Sequence, residues 1–351
     1  MIRHSFQIRE HDAAREPVVF ALKEMTFTAG GLRIGSPYGD VVLAAMAGEL
    51  DRGDILALFP EENRVVRWFF SDSLSHTLLL TEACDQRCLM CSQPPRPHRY
   101  PFWKLYAQAL NLLPEGSQVG LSGGEPLLLK KELVPWLLEM HRCRPDLTFH
   151  LLSNAQHLKL GDRDWIEPLR EVLLWGIPLY AGDAERHDQI VFKKGAFETL
   201  LSGLNLLARC GSRVELRSIV MQPTWTGLSA LADFVTRHLR FIDYWALMQL
   251  EPMGYAGEAW EGLFVDTSEH FAPVATALAM AQAVDVATLL YNFPRCTVPE
   301  PWRDRVCASV SDWKRRYLPQ CGLCREQSVC GGFFESYWDR SHQGFQRIQP
   351  L

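Results

Sequence analysis

The stretch "LLLTEACDQRCLMCSQPP", residues 78 to 95, places Cys84, Cys88 and Cys91 within eight positions, directly behind a run of leucines. A short apolar run bounded by polar residues predicts a strand, so the thiols lie in the loop leaving its carboxyl end. Outward from this loop the chain alternates short apolar runs with longer helical patterns, the signature of successive βα units and a parallel sheet. The predicted strands are "TLLLTE", "SQVGLS", "LTFHLLS", "VLLWGIPLY", "RVELRSIVM" and "YWALMQLEP". Between them, Leu133, Trp136, Leu137 and Met140 share one helical face, as do Phe197, Leu200, Leu201, Leu204 and Leu207. Six such units predict a partial (β/α)6 TIM-like barrel, in which reactive groups gather at the carboxyl ends of the strands.

The flanks read differently. Residues 1–75 carry Gly-rich turns ("TAGGLRIG", "SPYGD", "DRGD") around short runs such as "RVVRWFF", which predicts a small β-rich N-terminal domain. The barrel is assigned to residues 76–255 and a C-terminal extension to residues 256–351. There "HFAPVATALAMAQA" reads as helix, "VATLLYNF" as a further strand, and a Cys-containing segment follows.

Composition narrows the function. With 351 residues, 47% hydrophobic and 22% charged, the chain is expected to be an ordinary globular protein with a sizeable core. A net charge of −5 gives no general electrostatic reason to bind nucleic acid or an anionic membrane. "MIRHSFQIREHDAAREP" has no apolar export segment and "VVLAAMAG" is too short to span a bilayer, so a cytoplasmic location is expected. In that setting, closely spaced cysteines point to metal or redox chemistry rather than disulfides.

CxxxCxxC in one loop lets the backbone wrap three thiolates around one centre. A closed iron–sulfur site takes four, so a triad leaves one position open. A three-cysteine zinc site completed by a distant residue, or unliganded thiols, fits the spacing equally well. The next strand end separates these readings. "VGLSGGEPLL" closes in Ser122, Gly123, Gly124, Glu125 and Pro126, and paired glycines permit close approach of backbone to a ligand.

Together these motifs resemble the radical SAM superfamily, which carries CxxxCxφC after its first strand and GGE after its second; Met90 stands at the φ position, where an aromatic residue is more usual. The resemblance implies that Cys84, Cys88 and Cys91 hold a [4Fe-4S] cluster whose unique iron chelates S-adenosylmethionine (SAM), and that Gly123, Gly124 and Glu125 bond its methionyl amine. It also implies that an electron from the reduced cluster cleaves the sulfonium to give a 5′-deoxyadenosyl radical. Ser153 and Asn154 at the third strand end fit a contact to the cofactor ribose, although turn and cap residues are of the same types. Arg217, a charge in an apolar strand, fits either a salt bridge or the cofactor carboxylate. "LEPMGYA" resembles the segment that contacts adenine, with Met253 and Gly254 available.

Toward the end of the chain, Cys296, Cys321, Cys324 and Cys330 supply four thiolates, the number that a closed cluster or a zinc site needs. Cys296 is chosen over Cys307 because "RDRVCASVSDW" reads as a helix with its Cys packed inward; Cys143 and Cys210 read as packing residues. The segment resembles twitch or SPASM-type extensions, which implies an auxiliary [4Fe-4S] cluster. The motif order from "LTEACDQRCLMCSQPP" through "PLYAGDAERHDQIVFKKGAFETLLSGLNLL" to "CGGFF" resembles the HxsC maturases of the His-Xaa-Ser system. That resemblance implies a ribosomally made precursor peptide as substrate, a second radical SAM maturase of the same system as partner, and an electron donor. Asp183, His187 and Asp188 lie at the fourth strand end, where His187 would suit proton transfer; a solvated loop with a capping Asp explains them as well. A radical SAM enzyme acting on a small molecule, such as a molybdopterin-type cyclase, and a non-catalytic metal-dependent scaffold are the other classes considered.

Overall fold

The computed structural model describes residues 5–11, 16–28, 31–43, 50–73, 76–311, 314–337 and 344–351. The rest of "VVLAAMAG" beyond Leu43, the stretch 12–15 in "HDAAREP", and Asp312 and Trp313 of "SDWKRRYLPQC" lie outside the described residues. The chain divides into two compact units. One comprises Met1–Leu80, Tyr100–Ser122 and Lys131–Phe149; the other comprises Thr81–Arg99, Gly123–Lys130 and His150–Leu351.

The N-terminal segment forms seven strands: β1 (Ser5–His11), β2 (Val18–Ala21), β3 (Met25–Thr28), β4 (Gly31–Ser36), β5 (Gly39–Leu43), β6 (Ile55–Phe59) and β7 (Arg64–Phe69). They pair antiparallel in the order β2-β6-β7-β1-β5-β4-β3. Alternation with a period of two explains the core: Leu32 and Ile34 of β4, Leu43 of β5, Leu56 and Leu58 of β6 and Val65 of β7 are buried in one cluster. Each such side chain contributes about 1.5–3 kcal/mol of burial.

The second sheet has strands β8 (His76–Thr81), β9 (Gln118–Gly123), β10 (Thr148–Leu152), β11 (Leu173–Pro178), β12 (Arg213–Val220), β13 (Tyr244–Gln249) and β14 (Thr288–Tyr291), neighbouring one another in chain order. The intervening helices are α1 (Trp103–Leu112), α2 (Lys130–Cys143), α3 (Arg163–Leu169), α4 (Ala184–Val191), α5 (Ala196–Arg209), α6 (Gln222–Trp225), α7 (Leu228–His238), α8 (Gly254–Glu258), α9 (Trp260–Leu263) and α10 (Ala272–Gln282). Strict chain order with a helix at every crossover is the barrel-type winding expected from the βα pattern.

The expected six strands are corrected to seven. "VATLLYNF" supplies β14, which pairs parallel with β13 from Trp245↔Thr288 to Met248↔Tyr291. Its crossover is long and contains three helices, so the sequence reads as a new segment where the sheet in fact continues. A second correction concerns "RDRVCASVSDW". A 3-10 turn covers Glu300–Arg305, then the backbone extends and Val306 bridges Leu290. Cys307 therefore lies on extended chain and not on a helix. Cys210 is buried as a packing residue, whereas Cys143 is exposed at the end of α2, where its thiol donates to Glu139 Oε1 at 3.2 Å. No helix among the described residues is long and apolar enough to cross a membrane.

On β12, Val214, Leu216, Ser218 and Val220 are buried, whereas Arg217 and Ile219 are half-exposed; on β13 the half-exposed positions are Tyr244 and Met248, and on β14 Leu289 and Tyr291. The fully covered set faces the helices. The half-open set shares the other face, where Arg217 Nε meets Met248 Sδ at 3.4 Å and the Tyr291 hydroxyl lies 3.4 Å from that of Tyr244. This inner face is floored by Glu215, 0% exposed, with Oε2 at 2.6 Å from His150 Nε2 and Oε1 at 3.8 Å from Arg217 Nε.

Candidate active site

The triad loop is built by hydrogen bonds from every side. At its root Thr81 Oγ1 donates to the His98 carbonyl at 2.9 Å and accepts from the Ala83 N–H at 3.0 Å. Arg87 and Leu89 donate to the carbonyls of Val191 and Ile190 at the end of α4, at 3.1 and 3.0 Å. The Tyr255 N–H donates to the Cys91 carbonyl at 2.9 Å. Gly254, at φ 56°, lets α8 lie against this loop, since a Cβ there would fall 2.5 Å from the Cys91 oxygen. "LEPMGYA" thus backs the triad loop, and Met253 beside it is exposed. Met90 points into the core with Tyr180, Ile190, Val191 and Ala256, anchoring the loop from below.

Gly123 and Gly124 bring the second strand end onto the loop's first residues. The Gly124 and Glu125 N–H groups donate to the Thr81 and Ala83 carbonyls, both at 2.8 Å. Their close approach is therefore to backbone of this chain. The Glu125 carboxylate, 1% exposed, accepts from the Leu127 N–H and the Ser153 hydroxyl at 2.8 Å and from the Asn154 N–H at 2.7 Å. Burial raises its pKa, and these three donors oppose the shift. The motif thus ties the second strand end to the third. Ser153 Oγ also accepts from the Ala155 N–H, and Asn154 Oδ1 from that of Gln156, both at 3.0 Å, so both side chains have the local turn roles expected of their residue types.

The thiols themselves sit close enough to feel one another. Burial pushes Cys84 and Cys88 up to about 12; Cys88 is raised further by Cys84 and Cys91, and Cys84 by Glu125, Asp85 and Cys91. Burial also raises Cys91. Such thiols keep their protons at neutral pH, as any buried thiol does, unless a cationic centre replaces them. Among the described residues no group of three or more His, Cys, Asp or Glu is drawn together as ligands of a single ion.

Several residues around the triad are not apparent from the sequence. Asp85, between two of the cysteines, accepts from Asn154 Nδ2 at 3.0 Å, approaches His157 Nε2 at 3.1 Å and is bonded by Lys193 Nζ. Burial would raise its carboxyl, but the bonds from His157 and Lys193 prevail and hold it well below the usual range. Tyr180, just past β11, is buried among the same groups. Burial first, then the Cys88 thiol, raise its phenol far above the ordinary value, with Arg217 opposing. Gln156 has a buried side-chain amide with no partner among the described residues, an orphan that calls for a ligand or water.

Asp183 caps α4 through the Arg186 N–H at 2.9 Å, and Asp188 accepts from the Phe197 N–H at the same distance. His187 is not on a solvated loop. It is 1% exposed, stacked on Tyr180 at 5.8 Å, with Nδ1 3.4 Å from the Tyr180 N–H. Burial lowers its pKa to about 4 from 6.5, against the opposing pull of Asp188 and Asp183. The unfolded chain therefore takes up this proton first as pH falls. Above pH 7 the group contributes no penalty; between pH 6.5 and 4 folding stability declines, by about 2 kcal/mol at pH 5. In urea titrations His187→Leu should show a shallower acid dependence over that window than the parent; parallel dependences would remove His187 as the cause.

The second cysteine group converges as well. Cys296, Cys321, Cys324 and Cys330 line one pocket, with Phe333 and Ile348 among its apolar walls. Burial pushes Cys296 up to about 12, with Cys330 and Cys321 adding to the shift. Cys307 is not among the lining residues; its N–H bonds the Leu290 carbonyl at 3.1 Å.

The sheet is wound in chain order, with a three-thiol loop at the first strand end and a Gly-Gly-Glu clamp at the second. Residues 78–234 match the family model described as the radical SAM superfamily. The chain is 26% identical over 178 residues to a protein described as GTP 3',8-cyclase from Nautilia profundicola, covering 47% of this chain and 54% of that protein. It is similar in fold to Streptococcus suis SuiB bound to S-adenosylmethionine, with a TM-score of 0.51 and 14% identity over 62% of this chain and 50% of that one. SuiB bound to precursor peptide SuiA matches with a TM-score of 0.51 and 12% identity over 64% of this chain and 50% of that one. The chain thus spans about half the length of these relatives.

Proposed function

We propose that this chain is a radical SAM peptide maturase. Cys84, Cys88 and Cys91 would hold a [4Fe-4S] cluster, and Gly123, Gly124, Glu125, Ser153, Asn154 and Arg217 would shape the SAM site. Cys296, Cys321, Cys324 and Cys330 would hold an auxiliary cluster. With cluster and SAM bound, one-electron reduction by an external donor supplies a 5′-deoxyadenosyl radical. The chain's own residues would bind and orient. Glu125 fixes the second and third strand ends, Asp85 ties the triad loop to Asn154, His157 and Lys193, and the buried Tyr180 and Met90 keep bulk water from the loop's underside.

The observation carrying the reading is the three-thiol loop at the rim of an inner face whose wall residues, from Arg217 to Tyr291, are half-open. A peptide substrate is supported by the fold similarity to SuiB, solved with a precursor peptide, and by the N-terminal sheet. Its edge strand β3 has three exposed positions of four and shows Phe27 at 71% exposure, a surface that suits strand addition by an extended leader. The resemblance to the HxsC maturases makes the substrate a His-Xaa-Ser repeat peptide and its partner a second radical SAM maturase.

The similarity to the GTP 3',8-cyclase favours a second reading, a nucleotide substrate. A triphosphate calls for several uncommitted cations. Here Lys193 is held by Asp85, Lys314 by Glu251 at 2.9 Å and Arg295 by Glu326 at 2.6 Å. The test is to incubate the reduced enzyme with SAM and, in parallel, a His-Xaa-Ser repeat peptide with its leader, the same peptide without it, and GTP. A SAM-dependent mass change confined to the leader-bearing peptide is the expected result; turnover of GTP with the peptide unchanged would select the cyclase reading.

A further inference from the structure

The segment from Gln346 to Leu351 runs over the four-thiol pocket between two anchors. At one end the Gln346 N–H donates to Asp266 Oδ2 at 2.9 Å, the Arg347 N–H donates to Ser268 Oγ at 3.0 Å, and Arg347 Nε pairs with Glu269 Oε1 at 2.5 Å. At the other end the Leu351 N–H donates to Cys324 Sγ at 3.4 Å, and the Arg325 N–H donates back to the Leu351 carbonyl at 2.8 Å. Between the anchors Ile348, Gln349 and Pro350 line the pocket directly, with Ile348 packed on the neighbouring apolar cluster. Backbone donors also reach Cys330, from Arg295 at 3.5 Å and Gly332 at 3.4 Å.

We propose that residues 346–351 are a strap laid over this pocket and its metal centre, and that the Leu351 N–H is a positioning donor that tunes Cys324. The inference rests on the reading that an iron–sulfur cluster occupies the four thiols. Four thiolates leave such a cluster no open position, and the strap, clipped at both ends, covers one side of thiols that are only partly buried. The auxiliary centre is therefore a closed one, which takes no substrate. A backbone N–H aimed at a ligand sulfur favours the more negative, reduced cluster, and so raises its potential.

The test uses the full chain with Cys84, Cys88 and Cys91 replaced by Ala, so that only the second centre loads, reconstituted anaerobically with iron and sulfide. Leu351→Pro removes the donor, and Leu351→Ala keeps it while removing the side chain. Leu351→Pro should change the oxidised-to-reduced ratio at fixed potential about tenfold toward oxidised, a midpoint about 59 mV lower for one electron, with Leu351→Ala near the parent. Ile348→Asp, which breaks the apolar cover, should release metal to a chelator several-fold faster. An unchanged midpoint in Leu351→Pro together with unchanged release in Ile348→Asp would overturn the strap. A parent protein that loads zinc without iron or sulfide would overturn the underlying reading instead, and chelator release from Ile348→Asp would still report whether the strap covers the pocket.

Discussion

Cys88→Ala should reduce the formation of 5′-deoxyadenosine from SAM to the level of a no-enzyme control, while the folded chain persists. Cys88 is the middle ligand of the proposed triad, and burial plus the flanking Cys84 and Cys91 hold its thiol at about 12, so only a cationic centre makes it a thiolate. Two remaining thiolates leave a cluster under-ligated. The loop itself does not depend on the sulfur, because its shape comes from backbone bonds to Val191, Ile190, Ala83 and Tyr255. The measurements are product formation under anaerobic reduction and the thermal midpoint of the apo chain. Parental 5′-deoxyadenosine from the variant would remove Cys88 from the site.

Gly124→Ala should damage folding and chemistry together. A Cβ there would lie 2.2 Å from the Ala83 oxygen, 2.5 Å from its carbonyl carbon and 2.8 Å from the Glu82 oxygen, all backbone. No side chain can rotate away to make room. Either the bonds from Gly124 and Glu125 to Thr81 and Ala83 break, or the root of the triad loop moves. Overpacking against rigid backbone costs about 1–3 kcal/mol, and the backbone contacts here place the variant at the upper end. Urea unfolding and iron content after reconstitution should both fall in the variant. Unchanged stability with full iron loading would show that the second strand end does not brace the loop.

Local chemistry was legible in the sequence and long-range placement was not. Cys84, Cys88 and Cys91 share one loop, as their close spacing predicts, because near neighbours in sequence stay near in the fold. The paired glycines stood out for the same reason, but their task of meeting the Thr81 and Ala83 carbonyls belongs to the fold. Asp85 sits inside the quoted motif and still could not be interpreted, since its partners His157 and Lys193 come from distant elements. His187 looked solvated because its sequence neighbours are charged; the helix buries it against Tyr180 while those neighbours cap helices. The sequence of β14 predicts a strand, but its place beside β13 follows from a crossover whose length hides the connection. Cys296 is preferred to Cys307 in the sequence on a predicted helix that does not form; the pocket, which Cys296 lines and Cys307 does not, supplies a different ground.

A cluster held by the triad loop should cleave SAM with no peptide present. The most direct measurement is quantification of 5′-deoxyadenosine and methionine from the anaerobically reconstituted, chemically reduced wild-type chain given SAM alone. Both products are expected in equal amounts, dependent on iron, sulfide and reductant; intact SAM in a protein shown to be folded and iron-loaded at the triad would mean that the loop carries no SAM-cleaving cluster.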